Sequence, residues 1–353
     1  MNGMPRRMVA RYAPGLERGF FLSLFLTMML TLTIEGWSQH QPPPDSLNKD
    51  SLSMAARDTA AADSLALPDS VRIRPPVLYE AEDTLALDST AGRVAEDRIL
   101  YHPDRVIPNH AFDVGERLIF RIRYGFITAG RATMEVKEVV MVHDSIPAYR
   151  ILSTARSAKF FDSFYKVRDS VESYMDVRGL FSWKFHKRLR EGGYKFDLLA
   201  EYDQWRGVAY VTAIRYHSDE PLRIKRKEEF ELEIPLYVLD VLGAFYYVRT
   251  QELRVGEPIY MSNHDNKKVY NLQVIIQKKE RVKVKAGTFD CVMVSPRLKG
   301  EGIFKHKGEL WIWLTDDERK IPVKMTSKVP VGSITTELIR IEGVDGNIRA
   351  RVD

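Results

Sequence analysis

Apolar and polar residues alternate along most of the chain beyond residue 113, and this pattern constrains the fold more than any other feature. In the segment 117–124, Leu118, Phe120, Ile122 and Tyr124 fall on one face, while the arginines between them fall on the other. A period of two is the period of a β-strand, in which successive side chains point to opposite faces. The segment therefore predicts a strand with one buried face.

Further short segments with the same alternation are separated by turns rich in Gly, Pro or Asp. Gly125 and Gly130 bracket one turn, and Gly192-Gly193 predicts a hairpin turn between two strands. The segments predicted as strands in the second half of the chain are 269–276, 281–285, 289–294, 309–314, 322–328 and 333–341. A spacing near ten residues favours an antiparallel sheet that curls or closes. The predicted fold class is thus mainly β, with a strongly curved or barrel-like antiparallel sheet.

Two segments depart from this alternation. Residues 236–249 follow a proline and carry apolar residues at spacings of three and four, which predicts one long helix packed on the sheet. Leu242 and Phe245 are expected to face that sheet. Asp240 is interpreted either as a solvated residue of the helix or as the partner of a nearby base. The segment 157–165 is short and mixed, and it predicts a helical turn.

The first 38 residues have the organisation of a secretory signal peptide. A basic region with four arginines precedes an uncharged apolar run over 20–34, and Gly36 and Ser38 supply small residues before a cut after Ser38. The alternative is a retained membrane anchor, but 15 residues fall short of the roughly 20 that span a bilayer. We expect export to the periplasm or elsewhere in the cell envelope, with no stable membrane span after cleavage.

Residues 39–104 differ in composition from the rest and predict a disordered linker rich in Pro, Ser, Asp and Ala. Residues 105–353 are predicted to form a single β-rich domain. The whole chain carries a formal net charge of +5, with +2 in residues 1–40 and −5 in residues 41–100, so residues 101–353 carry +8. Outside the cytoplasm nucleic acid is not an expected partner. Lipid, glycan or an envelope protein is the expected class.

The sequence shows few patterns typical of a catalytic, metal-binding or disulfide site. Cys291 is the only cysteine, so no intramolecular disulfide can form, and its apolar setting predicts a buried structural thiol. The eight histidines show no spacing of three or four, so no metal site and no cofactor are predicted. Asp316-Asp317 could be read as paired acids but is better interpreted as a turn. No catalytic residue is assigned.

Several motifs in order resemble the bacterial family known as domain of unknown function 3108. The resemblance extends from about Phe112 to Ile341, and its most specific part is the helix segment 240–249. The other matching motifs lie at 114–118, 124–130, 161–169, 188–192, 286–289 and 313–323. Gly243 departs from the family, in which Ser is expected. The resemblance implies an exported β-rich envelope domain and no established activity.

Polar and aromatic residues within these motifs form the candidate ligand-binding set. A curved sheet against the predicted helix could bring them to one mouth, where arginines bind an anionic group and tyrosines cover an apolar body. The alternative is structural, with Arg249 and Asp169 as a buried ion pair and the tyrosine rings as core. The set comprises Tyr165, Asp169, Arg188, Arg190, Glu191, Tyr246, Tyr247 and Arg249.

Three classes of function are compatible with these features. The first is non-enzymatic binding of an amphipathic ligand (lipid or glycan) or of an envelope partner, which export, the basic charge and the absence of a complete catalytic set favour. The second is a hydrolase acting on an envelope glycan or lipid, with Glu191, Asp169 and His186 as the residues to test. The third is a structural scaffold in an envelope assembly.

Overall fold

The computed structural model describes residues 103–163, 165–298, 310–328 and 332–353. The predicted signal segment and nearly all of the predicted linker lie outside these residues. Within them the chain forms two helices, α1 (Lys159–Asp162) and α2 (Val241–Thr250). The strands are β1 (Arg117–Tyr124), β2 (Ile127–Val142), β3 (Ile146–Ser157), β4 (Arg168–Asp176), β5 (Ser182–Glu191), β6 (Tyr194–Asp203), β7 (Val208–Tyr216), β8 (Ile224–Glu233), β9 (Leu239–Asp240), β10 (Ile259–Asp265), β11 (Lys268–Val284), β12 (Gly287–Leu298), β13 (Leu310–Thr315), β14 (Pro322–Lys328) and β15 (Ser333–Glu342).

All these strands belong to one sheet, so the mainly β prediction is confirmed. The strand order is β8-β7-β6-β5-β4-β3-β2-β1-β15-β14-β13-β12-β11-β10-β9. Neighbours pair in antiparallel fashion except β9 and β10, which are parallel. The first and last strands in chain order meet in the middle of the sheet, with Leu118 opposite Ile341 and Tyr124 opposite Ile334.

The sheet curls until its two ends approach each other. Its edges are β8 and β9, yet the backbone N–H of Ser182 on β5 donates to the carbonyl of Val238 beside β9. Lys267, in the turn between β10 and β11, pairs with Glu228 on β8 at 2.7 Å. The predicted strong curvature is therefore present. No strand pairing between β8 and β9 closes the sheet within the described residues.

Alternate residues of the strands fill the inside of the curl. On β5, Phe185 and Leu189 are buried, and Phe120 on β1 lies opposite Leu338 on β15 with both fully buried. Cys291 on β12 belongs to a smaller apolar cluster and is 1% exposed. Burial raises the pKa of its thiol to about 12. The structural thiol predicted from the sequence is confirmed.

The predicted long helix is shorter and begins later than the sequence indicated. Residues 236–240 form a turn and the short strand β9, and Tyr237 has a φ of 65°, which a helix cannot accommodate. Asp240 is the N-cap: its carboxylate accepts hydrogen bonds from the backbone N–H of Gly243 and from the hydroxyls of Ser173 and Ser182. Both earlier interpretations of Asp240, as a solvated residue and as the partner of a base, were wrong.

Most of the predicted turns and strand limits are found in the structure. Gly192 has a φ of 54° in the hairpin between β5 and β6, and the helical turn expected within 157–165 is α1. Asp317 accepts hydrogen bonds from the backbone N–H groups of Arg319 and Lys320, as a turn residue does. The sequence predicted two separate strands at 269–276 and 281–285, and this was wrong. Both segments belong to one strand, β11, which has a register shift after Ile276.

Candidate functional site

The C-terminal end of α2 carries a fully buried ion pair. The guanidinium of Arg249 donates to both carboxylate oxygens of Glu116 at 2.6 and 2.7 Å, and the two side chains are 0% and 1% exposed. Arg249 also donates to the backbone carbonyls of Ala111 and Arg319. Burial by itself would lower the pKa of Arg249, but the neighbouring Glu116 carboxylate raises it above its ordinary value. The pair is built as a structural clamp.

Arg249 was expected to form a buried ion pair with Asp169; the buried pair exists, but its acid is Glu116. Glu116 precedes β1 and lies opposite the end of α2; it belongs to the motif at 114–118 but was not in the candidate ligand-binding set. Tyr246 packs edge-to-face on Phe112 at 4.9 Å between ring centres and is fully buried. Burial raises the pKa of Tyr246 far above its usual range. The half-buried Tyr247 lies beneath the guanidinium of Arg105 at 5.4 Å.

Two other residues of the predicted set form a pair of buried acids, Asp169 near the start of β4 and Glu191 at the end of β5. Asp169 and Glu191 are 3% and 2% exposed, and their carboxyl groups share a hydrogen bond. Asp169 also accepts from the backbone N–H of Arg190 at 2.8 Å. Burial, followed by the repulsion of Glu191, raises the pKa of Asp169 to about 8. The pair therefore holds a proton at neutral pH.

The remaining residues of the set do not join these acids in one mouth. Arg190 extends to the opposite face of β5, where it makes a bidentate ion pair with Asp197 at 2.7 and 3.1 Å. Arg188 is exposed on that same face. The half-buried ring of Tyr165 lies against the backbone of Gly192. The eight residues thus occupy separate environments.

Two further polar contacts connect β10 to the inside of the curl, and sequence reasoning missed both. Lys187 on β5 pairs with Asp265 at 2.7 Å, with side chains only 3% and 4% exposed. The hydroxyl of Tyr202 on β6 shares a 2.9 Å hydrogen bond with Nδ1 of His264. Burial lowers the pKa of His264, which favours the neutral imidazole. The inward position of Lys187 could have been read from the alternation of β5, but its partner could not.

The outer face of the sheet carries a straight row of polar and aromatic side chains across five strands. Each residue lies directly opposite the next: Arg150 on β3, Tyr174 on β4, Lys184 on β5, Glu201 on β6 and Tyr210 on β7. We refer to these five residues as the cross-strand row. With strands ~4.8 Å apart, the two tyrosines lie about 14 Å from each other. Their spacing suits an extended molecule lying across the strands.

The cross-strand row is lined up along a cleft of about 550 Å³. One wall is the end of β2 and the turn after it, residues 140–143, which include the exposed Met141. Arg150 is held by Glu138 at 2.9 Å and by Glu172 at 3.1 Å, and Lys184 pairs with Glu201 at 2.9 Å. The volume falls within the 300–1,000 Å³ that is usual for small-molecule sites.

An aromatic cluster forms one end of the cleft. His143 packs edge-on against Trp183 and Trp205, with ring centres 5.2 and 5.1 Å apart, and the two indoles are 4.8 Å from each other. The indole N–H of Trp183 donates to Asp176 at 3.0 Å, which fixes the ring. A second cavity of about 320 Å³ adjoins the same two tryptophans. The cleft thus combines rigid aromatic surfaces with charged groups, as ligand sites do.

Other classes of site are not assembled in the part of the chain that the structure describes. No three His, Cys, Asp or Glu side chains there are grouped so that they could hold a metal ion. None of the helices among these residues has the length and apolar character to span a membrane. His186 points to the outer face of β5, whereas Glu191 on the same strand points to the inner face. The three residues named for a hydrolase therefore do not converge.

The fold and the cleft define a class: a large antiparallel β-meander domain with a ligand-sized groove on its outer face. The chain belongs to the family described as Protein of unknown function (DUF3108), whose model matches residues 119–339. The resemblance noted from the motifs is thereby confirmed. No curated protein matches the sequence significantly.

Three solved structures are similar to this chain at low sequence identity. A β-barrel-like protein of domain of unknown function DUF1849 from Brucella abortus shares 11% identity over 68% of this chain and 99% of its own, with a TM-score of 0.42. A candidate exported protein with a YmcC-like fold from Bacteroides fragilis shares 9% identity over 68% and 99%, with a TM-score of 0.29. A candidate lipoprotein from Parabacteroides distasonis shares 13% over 67% and 99%, also with a TM-score of 0.29.

Proposed function

We propose that this protein is a non-enzymatic binding protein of the cell envelope whose ligand is a glycan chain. The observation that carries the proposal is the cross-strand row inside the 550 Å³ cleft. Tyrosine faces provide flat apolar contact for a sugar ring, and the charged groups between them offer hydrogen bonds to hydroxyl or carboxylate groups. The secretory signal predicted for residues 1–38 supports the location in the envelope.

The ligand class follows from the composition of the cleft. A lipid tail would need a largely apolar pocket, whereas three of the five row residues are charged and their partners are charged as well. The apolar contribution comes mainly from rings and from residues 140–142 on one wall. A polar polymer with apolar ring faces matches this surface better than an acyl chain does.

Binding without turnover is favoured over hydrolysis by the position of the acids. Asp169, with a pKa raised to about 8, has the protonation state of a general acid, and it touches Glu191. Both side chains are nearly inaccessible, however, and they point into the interior rather than into the outer cleft. A polymer bound at the cross-strand row would not reach them.

The proposal is tested by titrating the purified full chain with oligosaccharides from envelope polysaccharides, using calorimetry and intrinsic tryptophan fluorescence. Tyr174→Ala and Tyr210→Ala should each weaken binding, since a stacked ring contributes about 0.5–1.5 kcal/mol, or roughly 2- to 12-fold in Kd. Tyr260→Ala is the matched control, because Tyr260 is an exposed tyrosine on β10, away from the cleft.

Other outcomes would point elsewhere. A lipid retained by the protein in native mass spectrometry, with no affinity for any oligosaccharide, would replace glycan by lipid as the ligand. Turnover of a polymer that Glu191→Gln abolishes would establish the hydrolase instead. Equal affinity of the Tyr174, Tyr210 and Tyr260 variants would show that the cleft is not the binding site.

A further inference from the structure

Four arginines lie side by side on the outer face of the sheet, one on each of the strands β1 to β4. Arg121 on β1 lies opposite Arg131 on β2. Arg156 on β3 lies opposite Arg131 on one side and Arg168 on the other. Residues that face each other in this way have Cα atoms only ~4.5–5.5 Å apart, and like charges there destabilise a sheet. We refer to these four residues as the arginine row.

Only the two ends of the arginine row are neutralised by the chain itself. The outer arginines have carboxylate partners, Glu337 at 2.8 Å for the one on β1 and Asp162 at 2.6 Å for the one on β4. The central pair, Arg131 and Arg156, is exposed, and no carboxylate in the described part of the chain lies within ion-pair distance of either guanidinium. An anion bound between these two groups would offset their repulsion.

Exposed apolar side chains lie at the end of the strands next to the arginine row. Phe126, in the turn between β1 and β2, is 97% exposed, and Phe160 on α1 is 70% exposed. The backbone N–H of Ala158 donates to the carbonyl of Ala129, which places α1 beside the start of β2, where Ile127 is also exposed. Single exposed apolar residues are common, but these three belong to one end of the sheet. We refer to Phe126, Ile127 and Phe160 as the apolar rim.

The arginine row lies close enough to the apolar rim for both to meet one lipid surface. Arg131 follows Ile127 by four residues, and Arg156 precedes Phe160 by four, so each separation is about 13 Å or less. Apolar side chains of interfacial proteins are buried ~5–10 Å into the boundary between headgroups and acyl chains. With the rim at that depth, the long arginine side chains extend to the level of the headgroup phosphates, as snorkelling arginines do.

The combination of charge and apolar surface selects the class of partner. A soluble polyanion would be bound by the arginines but would leave the apolar rim in water. A surface of anionic lipid offers phosphates to the arginines and an apolar phase to the rim. Two further exposed bases, Lys159 and Lys166, flank Phe160 and add to the attraction.

We infer that this end of the domain docks on an anionic lipid surface, with headgroup phosphates bound between Arg131 and Arg156 and the apolar rim inserted. This surface is separate from the proposed glycan site. Arg150 of the cross-strand row lies six residues from Arg156 along β3, or about 20 Å, toward the opposite end of the strand. The cleft therefore remains open to a polymer while the domain is docked.

The test follows the environment of position 126 in the full chain. Phe126→Cys is labelled with an environment-sensitive fluorophore, since the native Cys291 is buried and should stay unlabelled. Vesicles of phosphatidylglycerol mixed with phosphatidylcholine should shift the emission to the blue, and pure phosphatidylcholine or added salt should reduce the response. Val139→Cys carries the control label, because it is an exposed position of β2 about 40 Å from Ile127 and should not respond. A label on the rim reports insertion of the rim itself, whatever the N-terminal apolar segment binds.

Arg131→Gln combined with Arg156→Gln tests the phosphate contacts. Each basic residue near an anionic lipid surface contributes roughly fivefold to binding, so the double variant should need about 30-fold more lipid for the same response. Lys283→Gln with Lys285→Gln is the matched control, because it removes two charges at exposed positions of the β11–β12 hairpin, away from the arginine row. It should respond as the wild-type surface does. Circular dichroism verifies that each variant is folded.

Several results would overturn the inference. One is a label on position 126 that does not respond to anionic vesicles, or a label on position 139 that responds equally. Another is an arginine variant that binds vesicles as tightly as the lysine variant. A response that follows protein concentration without vesicles would mean that a second copy covers the rim. Saturable binding of inorganic pyrophosphate that needs Arg131 and Arg156, with no response to vesicles, would assign the row to a soluble anion instead.

Discussion

Replacing Arg249 by alanine should destabilise the protein more than any surface substitution, because it breaks the clamp between α2 and the segment before β1. In the wild type the guanidinium has four acceptors: two carboxylate oxygens of Glu116 and the carbonyls of Ala111 and Arg319. After the substitution the Glu116 carboxylate, 1% exposed, loses the cation that offsets its burial. Leaving one member of a buried ion pair without its partner lowers the free energy of unfolding by ~3–5 kcal/mol.

That free energy converts to a measurable shift. For a domain of 150–250 residues, each kcal/mol lowers Tm by about 2–4 °C, so the expected loss is roughly 6–20 °C. Differential scanning calorimetry at neutral pH measures it directly. Arg249→Met combined with Glu116→Leu should recover much of the loss, since an apolar replacement of both partners leaves no buried charge. The recovery separates the cost of the unpaired carboxylate from that of lost packing.

Arg254→Ala is the control for this prediction. Arg254 also makes a bidentate contact with a glutamate, Glu252, but the two side chains are 60% and 72% exposed. Because water solvates both charges, the loss of Arg254 should leave Tm close to the wild-type value. If Arg249→Ala melted at the same temperature as Arg254→Ala, the ion pair would not be the clamp described above.

Three further outcomes are expected. Because the folded pKa of Asp169 is about 8 and lies above the ordinary value of ~3.9, the folded state retains a proton that the unfolded state loses, and this stabilising contribution declines as pH rises from about 4 to 8. Asp169→Asn should therefore flatten the pH dependence of Tm across that window, and a variant with the wild-type slope would refute the assignment. Cys291 should resist alkylation at pH 8 in the folded protein and react once urea unfolds it, as mass spectrometry would show; fast labelling of the native state would contradict its burial. Gly343→Ala should destabilise far more than Gly346→Ala in calorimetry, since both have positive φ but only Gly343 has a backbone atom, the Gly115 carbonyl oxygen, in the space of a Cβ; equal losses would mean that the backbone yields.

The sequence predicted local structure well where local patterns decide it. The limits of β1 and β14 match the segments 117–124 and 322–328, because period-two alternation bounded by turn residues is a local signal. The helix was placed correctly but began too early. Spacing of apolar residues continued through 236–240, while the side chain of Asp240 set the true start by capping.

The candidate site was less predictable, because partners across a sheet depend on register. Arg249 and its burial followed from the motif, yet nothing near it in sequence indicated Glu116, 133 positions earlier. The cross-strand row was missed for the same reason, because it depends on the register of neighbouring strands. Tyr174, Lys184 and Glu201 look like ordinary solvent-facing residues of separate strands until the register places them side by side.

The pairing of β1 with β15 also sets the order in which the molecule can fold. Arg117 and Glu342 bond across that seam although they are 225 positions apart, whereas most other strand pairs join neighbours in the chain. Closing a loop of that length costs about 5 kcal/mol of chain entropy by the (3/2)RT ln n relation. The hairpins on either side can form as soon as their own residues are available, but the core pair of Phe120 and Leu338 meets only afterwards. In a nascent chain that has not yet emerged beyond Ser333, the sheet β1–β8 and the sheet β9–β14 therefore remain separate, because β15, the strand that pairs with both β1 and β14, is missing.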